Sequence, residues 1–287
     1  MHTVEVKSIL SAKNGMNIYR GCTHGCIYCD SRSTCYQMKH AFEDVEVKIN
    51  APELLERALF SKRKKCMIGT GSMSDPYNHY EEKLQLTRQC LEIIYRYGFG
   101  ATVLTKSSRI LRDLDILQAI NEHSKAVVQM PLTTMDEDLC RVIEPNVSTT
   151  KERIEVLKKC QQLKIPTIVW LSPILPMIND TFENIKGILD VCIECGVKGI
   201  ICFGMGVTLR EGNREYYYEA LDKHFPGLKE KYIRYYKDSY ALGSFQQRKL
   251  MDYFHRVCRE HNIMDTPEEC FAYLNEFPEN VTQMSLF

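Results

Sequence analysis

Three cysteines near the N-terminus have the spacing of a metal-binding loop. Cys22, Cys26 and Cys29 form a Cys-x3-Cys-x2-Cys pattern, and Tyr28 stands just before the third cysteine. Soft thiolate ligands favour an iron–sulfur cluster or zinc. Structural zinc sites usually have four ligands in two pairs, and no second pair follows at zinc-finger spacing. Three thiolates on a four-iron cluster leave one iron open to a substrate or cofactor, so the pattern favours a [4Fe–4S] cluster.

The composition is typical of a reduced, cytoplasmic protein. The chain has 287 residues, enough for one large domain or a domain with an extension. Its 13 cysteines are odd in number and scattered, which indicates a metal site rather than a disulfide framework. The net charge is zero, so nucleic acid would have to bind at a local patch. No apolar run approaches about 18 residues, and residues 1–7 lack the apolar core of a signal peptide, so no membrane association is expected.

Strand-like and helix-like segments alternate along most of the chain. The predicted strands are 15–20, 66–69, 101–105, 126–130, 166–171 and 199–203, and the predicted helices are 52–65, 81–97, 110–121, 150–163 and 181–195. This alternation predicts parallel βαβ units with right-handed crossovers. After Thr208 the pattern changes, and residues 211–274 are predicted to be helical and aromatic without a clear strand.

The run from Gly21 to Asp30, with the three cysteines and Tyr28, resembles the signature of the radical S-adenosylmethionine (SAM) enzymes. The resemblance implies that the cysteines hold a [4Fe–4S] cluster whose open iron chelates SAM, and that Tyr28 flanks the SAM adenine. One electron then cleaves SAM to methionine and a 5′-deoxyadenosyl radical, which takes a hydrogen atom from the substrate. The implied fold is α/β, a partial (β/α)6 TIM-like barrel within residues 1–207, followed by a helical extension over 208–274 and an exposed tail over 275–287. Chemistry is expected on the loops after the strands.

Within that superfamily, the chain resembles spore photoproduct lyase and its DNA-photolyase-like relatives, including the radical SAM mobile pair proteins. The runs that carry this resemblance are Asn17–Cys22, Ser72–Asn78, Ile143–Pro145 and Thr208–Arg210. The implied function is a lyase-like radical SAM enzyme that acts on nucleic acid, in DNA repair or modification. Two alternatives stay open: a radical SAM enzyme that acts on a peptide or small molecule, and a non-catalytic protein whose cysteine loop binds zinc.

The resemblance also assigns contacts to SAM. Ser72 and Ser74, after the second strand, are assigned to its methionyl group. Lys106, at the end of the third strand, is assigned to its carboxylate, although a surface lysine also fits this position. Thr133, with Thr134 as the alternative, is assigned to its ribose.

The resemblance fails at the residue that returns hydrogen to the product. In spore photoproduct lyase a cysteine on the loop after the second strand has this role, but Met73 stands here and a thioether has no S–H. Cys35, just past the cysteine loop, is the spare thiol and the candidate catalytic residue. Arg210 is the second candidate, because at the barrel mouth it could bind a phosphate or carboxylate bidentately, or instead pair with Glu211. Asp30 replaces a tyrosine of the family pattern.

Two further patterns have ordinary structural explanations. Residues 229–237 interleave tyrosines with lysines and an arginine, which could stack bases and follow phosphates, but a half-buried amphipathic helix gives the same pattern. Cys192 and Cys195 could belong to an auxiliary cluster, but core packing is the favoured interpretation.

The end of the chain and the reaction itself suggest two protein partners. Gln283, Leu286 and Phe287 match the bacterial sliding-clamp-binding motif, so we hypothesise that this tail tethers the enzyme to DNA. A reductase or flavodoxin is the expected electron donor.

Overall fold

The computed structural model describes residues 1–278. The sliding-clamp motif of Gln283, Leu286 and Phe287 therefore lies outside the described residues. The strands are β1 (His2–Val4), β2 (Gly15–Met16), β3 (Tyr19–Arg20), β4 (Glu46–Lys48), β5 (Met67–Thr70), β6 (Gly100–Leu104), β7 (Ala126–Pro131), β8 (Thr167–Trp170), β9 (Gly199–Ile201), β10 (Gly206–Thr208) and β11 (Ala241–Gly243). The helices are α1 (Ala51–Ser61), α2 (Glu81–Leu84), α3 (Leu86–Arg96), α4 (Leu114–His123), α5 (Glu137–Ile143), α6 (Thr150–Gln162), α7 (Phe182–Glu194), α8 (Asn213–His224), α9 (Leu228–Tyr236), α10 (Gln247–Glu260) and α11 (Pro267–Asn275).

A six-stranded parallel sheet forms the centre of the molecule. Its strand order is β2-β5-β6-β7-β8-β9, and each neighbouring pair is parallel. Every residue of β7 is buried, as expected for a parallel strand that is covered on both faces. This sheet and its connecting helices confirm the predicted α/β fold, a partial (β/α)6 TIM-like barrel.

Helix α6 shows how the local sequence positions a residue of the site. Thr149 accepts a hydrogen bond from the Glu152 backbone, and the Glu152 carboxylate accepts one from the Thr149 backbone, which forms a capping box. The helix therefore begins at a fixed residue, and its buried face carries Val156, Leu157 and Arg153 toward the sheet. An arginine at that position needs a buried partner, because an unpaired charge there is costly.

The carboxyl edge of the sheet carries the loops that surround a large cavity. Ser72 follows β5, Lys106 follows β6, Ser172 follows β8 and Phe203 follows β9, and all four line one cavity of about 720 Å³. Parallel strands end at the same edge, so these side chains converge although they are distant in sequence. This agrees with the edge predicted for the chemistry.

Three predicted elements differ in the structure. The predicted strand 15–20 is two strands, because β2 joins the central sheet whereas β3 pairs antiparallel with β4 in a second sheet of order β1-β4-β3. The predicted helix 81–97 is split into α2 and α3 at Gln85, whose φ of 50° is left-handed. The prediction that residues 211–274 contain no strand is wrong, since β11 pairs antiparallel with β10. Gly206 and Gly243 are register partners there, and a Cβ on Gly206 would lie 2.5 Å from the Leu242 carbonyl oxygen.

Helices α7 and α9 support the structural explanations of two sequence patterns. In α9, Tyr232 is buried whereas Tyr235 is 55% exposed, which confirms a half-buried amphipathic helix. Cys192 and Cys195 are buried in the main hydrophobic core, which confirms their packing role. None of the helices within residues 1–278 combines the length and the apolar character needed to cross a membrane. The domain boundaries at residues 207 and 274 stay a prediction.

Gly71, which directly follows β5, is constrained by close backbone contact. Its φ is +99°, and a Cβ would lie 2.0 Å from the Leu104 carbonyl oxygen. Gly227 also has a positive φ, of +78°, but a Cβ there would meet nothing within 4 Å. We expect Gly71→Ala to lower the free energy of unfolding by roughly 3 kcal/mol or more, and Gly227→Ala by only about 1 kcal/mol. Urea unfolding followed by circular dichroism checks this, and equal effects would contradict the steric explanation.

Candidate active site

The loop of residues 21–29 turns its cysteines toward one place. Gly21 and Gly25 have positive φ angles, and a Cβ on Gly21 would lie 2.4 Å from the Phe42 carbonyl oxygen. The Cys22 backbone N–H donates to that same carbonyl over 3.0 Å. At the far end of the loop, the Ile27 backbone N–H donates to a carbonyl at the end of α5. The loop is therefore held from two sides, and glycine is needed where the backbone bends sharply.

The cysteine side chains fit a metal cluster. Cys22, Cys26 and Cys29 all line a cavity of about 170 Å³, and no fourth cysteine of residues 1–278 lines it. Burial raises the pKa of the Cys22 thiol to about 12 and that of Cys26 further. Without metal these thiols stay protonated, and a bound metal would convert them to thiolate ligands. Three ligands around a cavity match a [4Fe–4S] cluster with one open iron.

Asp75 connects the loops that form this cavity. Its carboxylate accepts hydrogen bonds from the Thr105 hydroxyl over 2.6 Å and from the Lys106 backbone over 2.8 Å. The same carboxylate lies 3.5 Å from Nδ1 of His24 in the cysteine loop. The sequence analysis included Asp75 only within the run Ser72–Asn78 and gave it no role, although a carboxylate among serines after a strand could have indicated one.

The two assigned serines have different surroundings. Ser74 lines the cysteine cavity, but its hydroxyl donates to the Gly21 carbonyl over 2.5 Å and so braces the cysteine loop. Ser72 is exposed and lines both cavities, and its hydroxyl lies 3.4 Å from Oδ1 of Asn17. Ser72 is thus the freer of the two to contact a ligand.

The Lys106 side chain is largely buried within the site and is not a surface lysine. Its Nζ donates to the Tyr28 hydroxyl over 2.9 Å and lies 3.8 Å from Sγ of Cys26. It also lies 3.3 Å from the carboxylate of Glu144. Burial alone would lower the pKa of Lys106, but these acidic neighbours raise it well above its ordinary value. The ammonium group therefore stays charged beside the cysteine loop.

Glu144 is a completely buried carboxylate with two cationic neighbours, Lys106 and Arg153. Arg153 is also fully buried and donates to Glu144, and it donates to the Pro131 carbonyl over 2.8 Å. The Tyr28 hydroxyl donates to the other oxygen of Glu144. Burial would raise the pKa of Glu144, but Arg153 and Lys106 hold it at about 2, so the group is ionised. Sequence reasoning found Glu144 only as part of a motif and missed Arg153, because their contact depends on tertiary packing.

The two threonines assigned to the SAM ribose do not line the cysteine cavity. Thr133 is fully buried, and its hydroxyl has no hydrogen-bond partner within residues 1–278. The Thr134 hydroxyl accepts from the Asp136 backbone over 3.1 Å. Their assigned role stays a prediction.

The two predicted catalytic residues are in contact with each other, and neither lines the 170 Å³ or the 720 Å³ cavity. Nη1 of Arg210 lies 3.4 Å from Sγ of Cys35, although 175 positions separate them in sequence. The guanidinium also donates to the Tyr240 hydroxyl over 2.9 Å, and its Nε lies 3.4 Å from the Asp30 carboxylate. Within residues 1–278 Arg210 therefore pairs with Asp30, and the alternative pair with Glu211 is not formed. The structure brings Cys35 and Arg210 together, and their catalytic roles stay predictions.

The 720 Å³ cavity joins the cysteine loop to an aromatic rim. Its lining runs from Cys26, Cys29 and Tyr28 to Trp170, Phe203 and Tyr240. Phe203 is 63% exposed, and its ring centroid lies 6.0 Å from that of Trp170. A fold of parallel strands with a thiol-lined cavity at its carboxyl edge defines a metal-cofactor enzyme of the partial-barrel class.

Residues 16–192 match the family model of the Radical SAM superfamily. The match spans more than half of the chain, and the chain belongs to this superfamily. Its members use a [4Fe–4S] cluster and SAM, so the cysteine loop is that of a radical SAM enzyme.

Curated relatives share this region. An uncharacterized protein of Mycobacterium tuberculosis is 25% identical over 233 residues, which cover 77% of this chain and 66% of the relative. An uncharacterized protein of Methanocaldococcus jannaschii is 32% identical over 174 residues, which cover 60% of this chain and 64% of the relative. The chain therefore spans slightly less than two thirds of the length of these relatives.

Solved structures agree with the fold. Spore photoproduct lyase complexed with dinucleoside spore photoproduct matches with a TM-score of 0.64 and 13% identity, covering 92% of this chain and 80% of that one. A spore photoproduct lyase variant with bound AdoMet and the same dinucleoside has a TM-score of 0.61 and 14% identity, covering 87% of this chain and 74% of that one. At these identities the likeness shows the shared fold.

The ion pair between Glu144 and Arg153 predicts a large stability effect. Removing one partner of a buried pair leaves a charge poorly compensated, so we expect Arg153→Leu to lower the free energy of unfolding by about 3–5 kcal/mol. Adding Glu144→Gln to that variant should restore part of the loss. As a control, Arg57→Leu breaks an exposed pair with Glu53 and should cost less than about 1 kcal/mol. Urea unfolding of the cluster-free protein measures all three, and a cost for Arg153→Leu as small as that for Arg57→Leu would refute the role of the pair.

Proposed function

We propose that this protein is a radical SAM enzyme that acts on nucleic acid, with a lyase-like lesion reversal or a DNA modification as its reaction. The observation that carries the proposal is the continuous cavity that joins the cysteine loop to Trp170, Phe203 and Tyr240. One flat, polar-edged base could enter this cavity from an unstacked strand.

The aromatic rim supports stacking of a base. Trp170 donates its indole N–H to Oε1 of Gln129 over 2.9 Å, which fixes the orientation of its ring. Phe203 lies beside it and also contacts Phe271, but its side chain is still 63% exposed and can receive a base. Stacking of a base on an aromatic side chain contributes about 1–3 kcal/mol and tolerates many sequences.

Arg210 supports binding of a phosphate at the mouth. Its guanidinium is oriented by Asp30 and Tyr240, and both of these residues line the cavity. A planar guanidinium in a fixed orientation suits bidentate binding of phosphate oxygens. Since the net charge of the chain is zero, such a local contact would carry the electrostatic part of binding.

The site residues have distinct proposed roles in the reaction. When bound, the cluster and SAM supply the 5′-deoxyadenosyl radical that takes hydrogen from the substrate. Cys22, Cys26 and Cys29 would hold the cluster, and Lys106, Ser72 and Tyr28 would contact SAM. The exposed thiol of Cys35 is the proposed donor of a hydrogen atom to the product, because Met73 has none to give.

The solved relatives lend support by analogy. The solved structures of spore photoproduct lyase include complexes with dinucleoside spore photoproduct. A shared fold does not by itself imply a shared substrate.

The sliding clamp as a partner and a reductase or flavodoxin as electron donor stay hypotheses. Deletion of residues 283–287 tests the first, since it should abolish clamp binding by the purified protein.

The proposed function predicts that nucleic acid stimulates SAM cleavage. We expect the anaerobically reconstituted enzyme, with dithionite and SAM, to form 5′-deoxyadenosine faster when ultraviolet-damaged single-stranded DNA is added. Phe203→Ala should raise the DNA concentration that gives half-maximal stimulation by roughly fivefold or more, because a stacking contact is lost. The matched control is Phe60→Ala, since Phe60 is a 79% exposed phenylalanine on α1.

Chromatographic measurement of 5′-deoxyadenosine distinguishes the outcomes. Production that DNA leaves unchanged would reject the nucleic-acid substrate while leaving the radical chemistry in place. A DNA response that Phe203→Ala and Phe60→Ala alter equally would reject the aromatic rim as the binding surface.

A further inference from the structure

A second group of metal-ligand side chains lies against the sheet of β1, β4 and β3. Donor atoms of His2, His40 and Asp44 all lie within 4.8 Å of one another. Within residues 1–278 this is the one group of three or more histidine, cysteine or acidic residues with donor atoms so close together. None of these residues lines the cavities of the active site.

Strand pairing adds a second carboxylate to this group. His2 of β1 and Glu46 of β4 are register partners in a parallel pair, so their side chains point to the same face of the sheet. His40, on the connection that precedes β4, places its Nε2 3.9 Å from Oε2 of Glu46. Glu46 therefore lies next to the group of His2, His40 and Asp44 and is near enough to His40 to add a second carboxylate.

The ring of His40 is oriented so that its Nε2 can bind a metal ion. Its Nδ1 lies 3.0 Å from the Ala41 carbonyl oxygen, which can only accept, so Nδ1 carries the proton. Its Nε2 is buried and has no hydrogen-bond partner in the part of the chain described, residues 1–278, so a neutral His40 would present the Nε2 lone pair to a metal. Metal-binding histidines usually donate their other N–H to a carbonyl or carboxylate in this way.

We propose that His2, His40 and Asp44 bind one Zn²⁺ ion, with Glu46 as the fourth ligand. Zinc accepts imidazole and carboxylate ligands at about 2.0–2.2 Å, so neighbouring donors in a tetrahedral site lie about 3.3 Å apart. Nδ1 of His2 and Oδ2 of Asp44 are 2.9 Å apart, and the donor atoms of His2, His40 and Asp44 all lie within 4.8 Å of one another. The other oxygen of Asp44 lies 3.0 Å from the Met1 ammonium group, so zinc would compete with that contact. Two carboxylates balance the charge of the ion, whereas Mg²⁺ would require oxygen ligands in an octahedral arrangement.

A zinc ion at this site would stabilise the wall of the cysteine loop. It would connect β1 to the segment of residues 40–44, and that segment contains Phe42. The Phe42 carbonyl accepts the Cys22 backbone N–H over 3.0 Å. The role of the ion is therefore structural, and it is separate from the proposed reaction.

The test uses untagged, cluster-loaded protein, in which Cys22, Cys26 and Cys29 are already occupied. Zinc is titrated by calorimetry, and its ligand shell is measured by X-ray absorption at the zinc edge. We expect one high-affinity equivalent with nitrogen and oxygen ligands at about 2.0–2.1 Å. His40→Ala should weaken binding at least about tenfold, whereas His224→Ala, an exposed histidine on α8, should not change it.

His2→Gln provides an independent second variant, because His2 is the first residue of a short strand. Circular dichroism can show that the variant keeps its fold. It should weaken zinc binding as His40→Ala does. A sulfur shell at about 2.3 Å, or equal affinity in wild type and both variants, would overturn the proposal. Equal binding of Mg²⁺ and Zn²⁺ would also overturn it, since it would indicate a nonspecific carboxylate contact.

Discussion

The buried carboxylate of Glu144 is the interaction on which the rest of the site depends. Glu144 follows α5, its partner Arg153 lies on α6, and Lys106 follows β6. The Tyr28 hydroxyl donates to the same carboxylate and so connects the cysteine loop to it. Taking these charges out of water is costly, and the cost is offset only if all partners keep their positions together. Four separate segments of the chain are thereby fixed around the cysteine loop, where we expect the cluster to bind.

The two ends of the cavity differ in burial, with a buried end near the cysteines and an open mouth at the opposite end. Near the cysteines the groups are buried and paired, which suits a cofactor that must be held in one orientation. Toward the mouth, Phe203 is exposed. Arg210 contacts Asp30 and Tyr240, which line the cavity, and also the exposed Cys35. Loops tolerate variation better than the elements that they connect, so we expect the residues at the mouth to determine substrate choice.

The parts of the structure that follow local rules could be predicted from the sequence. The spacing of Cys22, Cys26 and Cys29 indicated the metal loop, and the alternation of apolar strands and helices indicated the parallel sheet. The pairing of Glu144 with Arg153, and the links made by Asp75, depend on tertiary contacts that no local pattern encodes. Strand β11 was missed for a related reason. Its three residues pair with β10 only because Gly206 and Gly243 let the two backbones approach closely, and this is a tertiary contact.

The central claim is that the cysteine loop holds a [4Fe–4S] cluster with one iron open to SAM. The most direct test is the electron paramagnetic resonance spectrum of the reconstituted, reduced protein, recorded with and without SAM and accompanied by an iron count. We predict about four irons per chain, a spectrum that changes when SAM is added, and loss of both in Cys26→Ala. A filled cluster whose spectrum SAM leaves unchanged, or a Cys26→Ala protein that keeps its irons, would contradict the account.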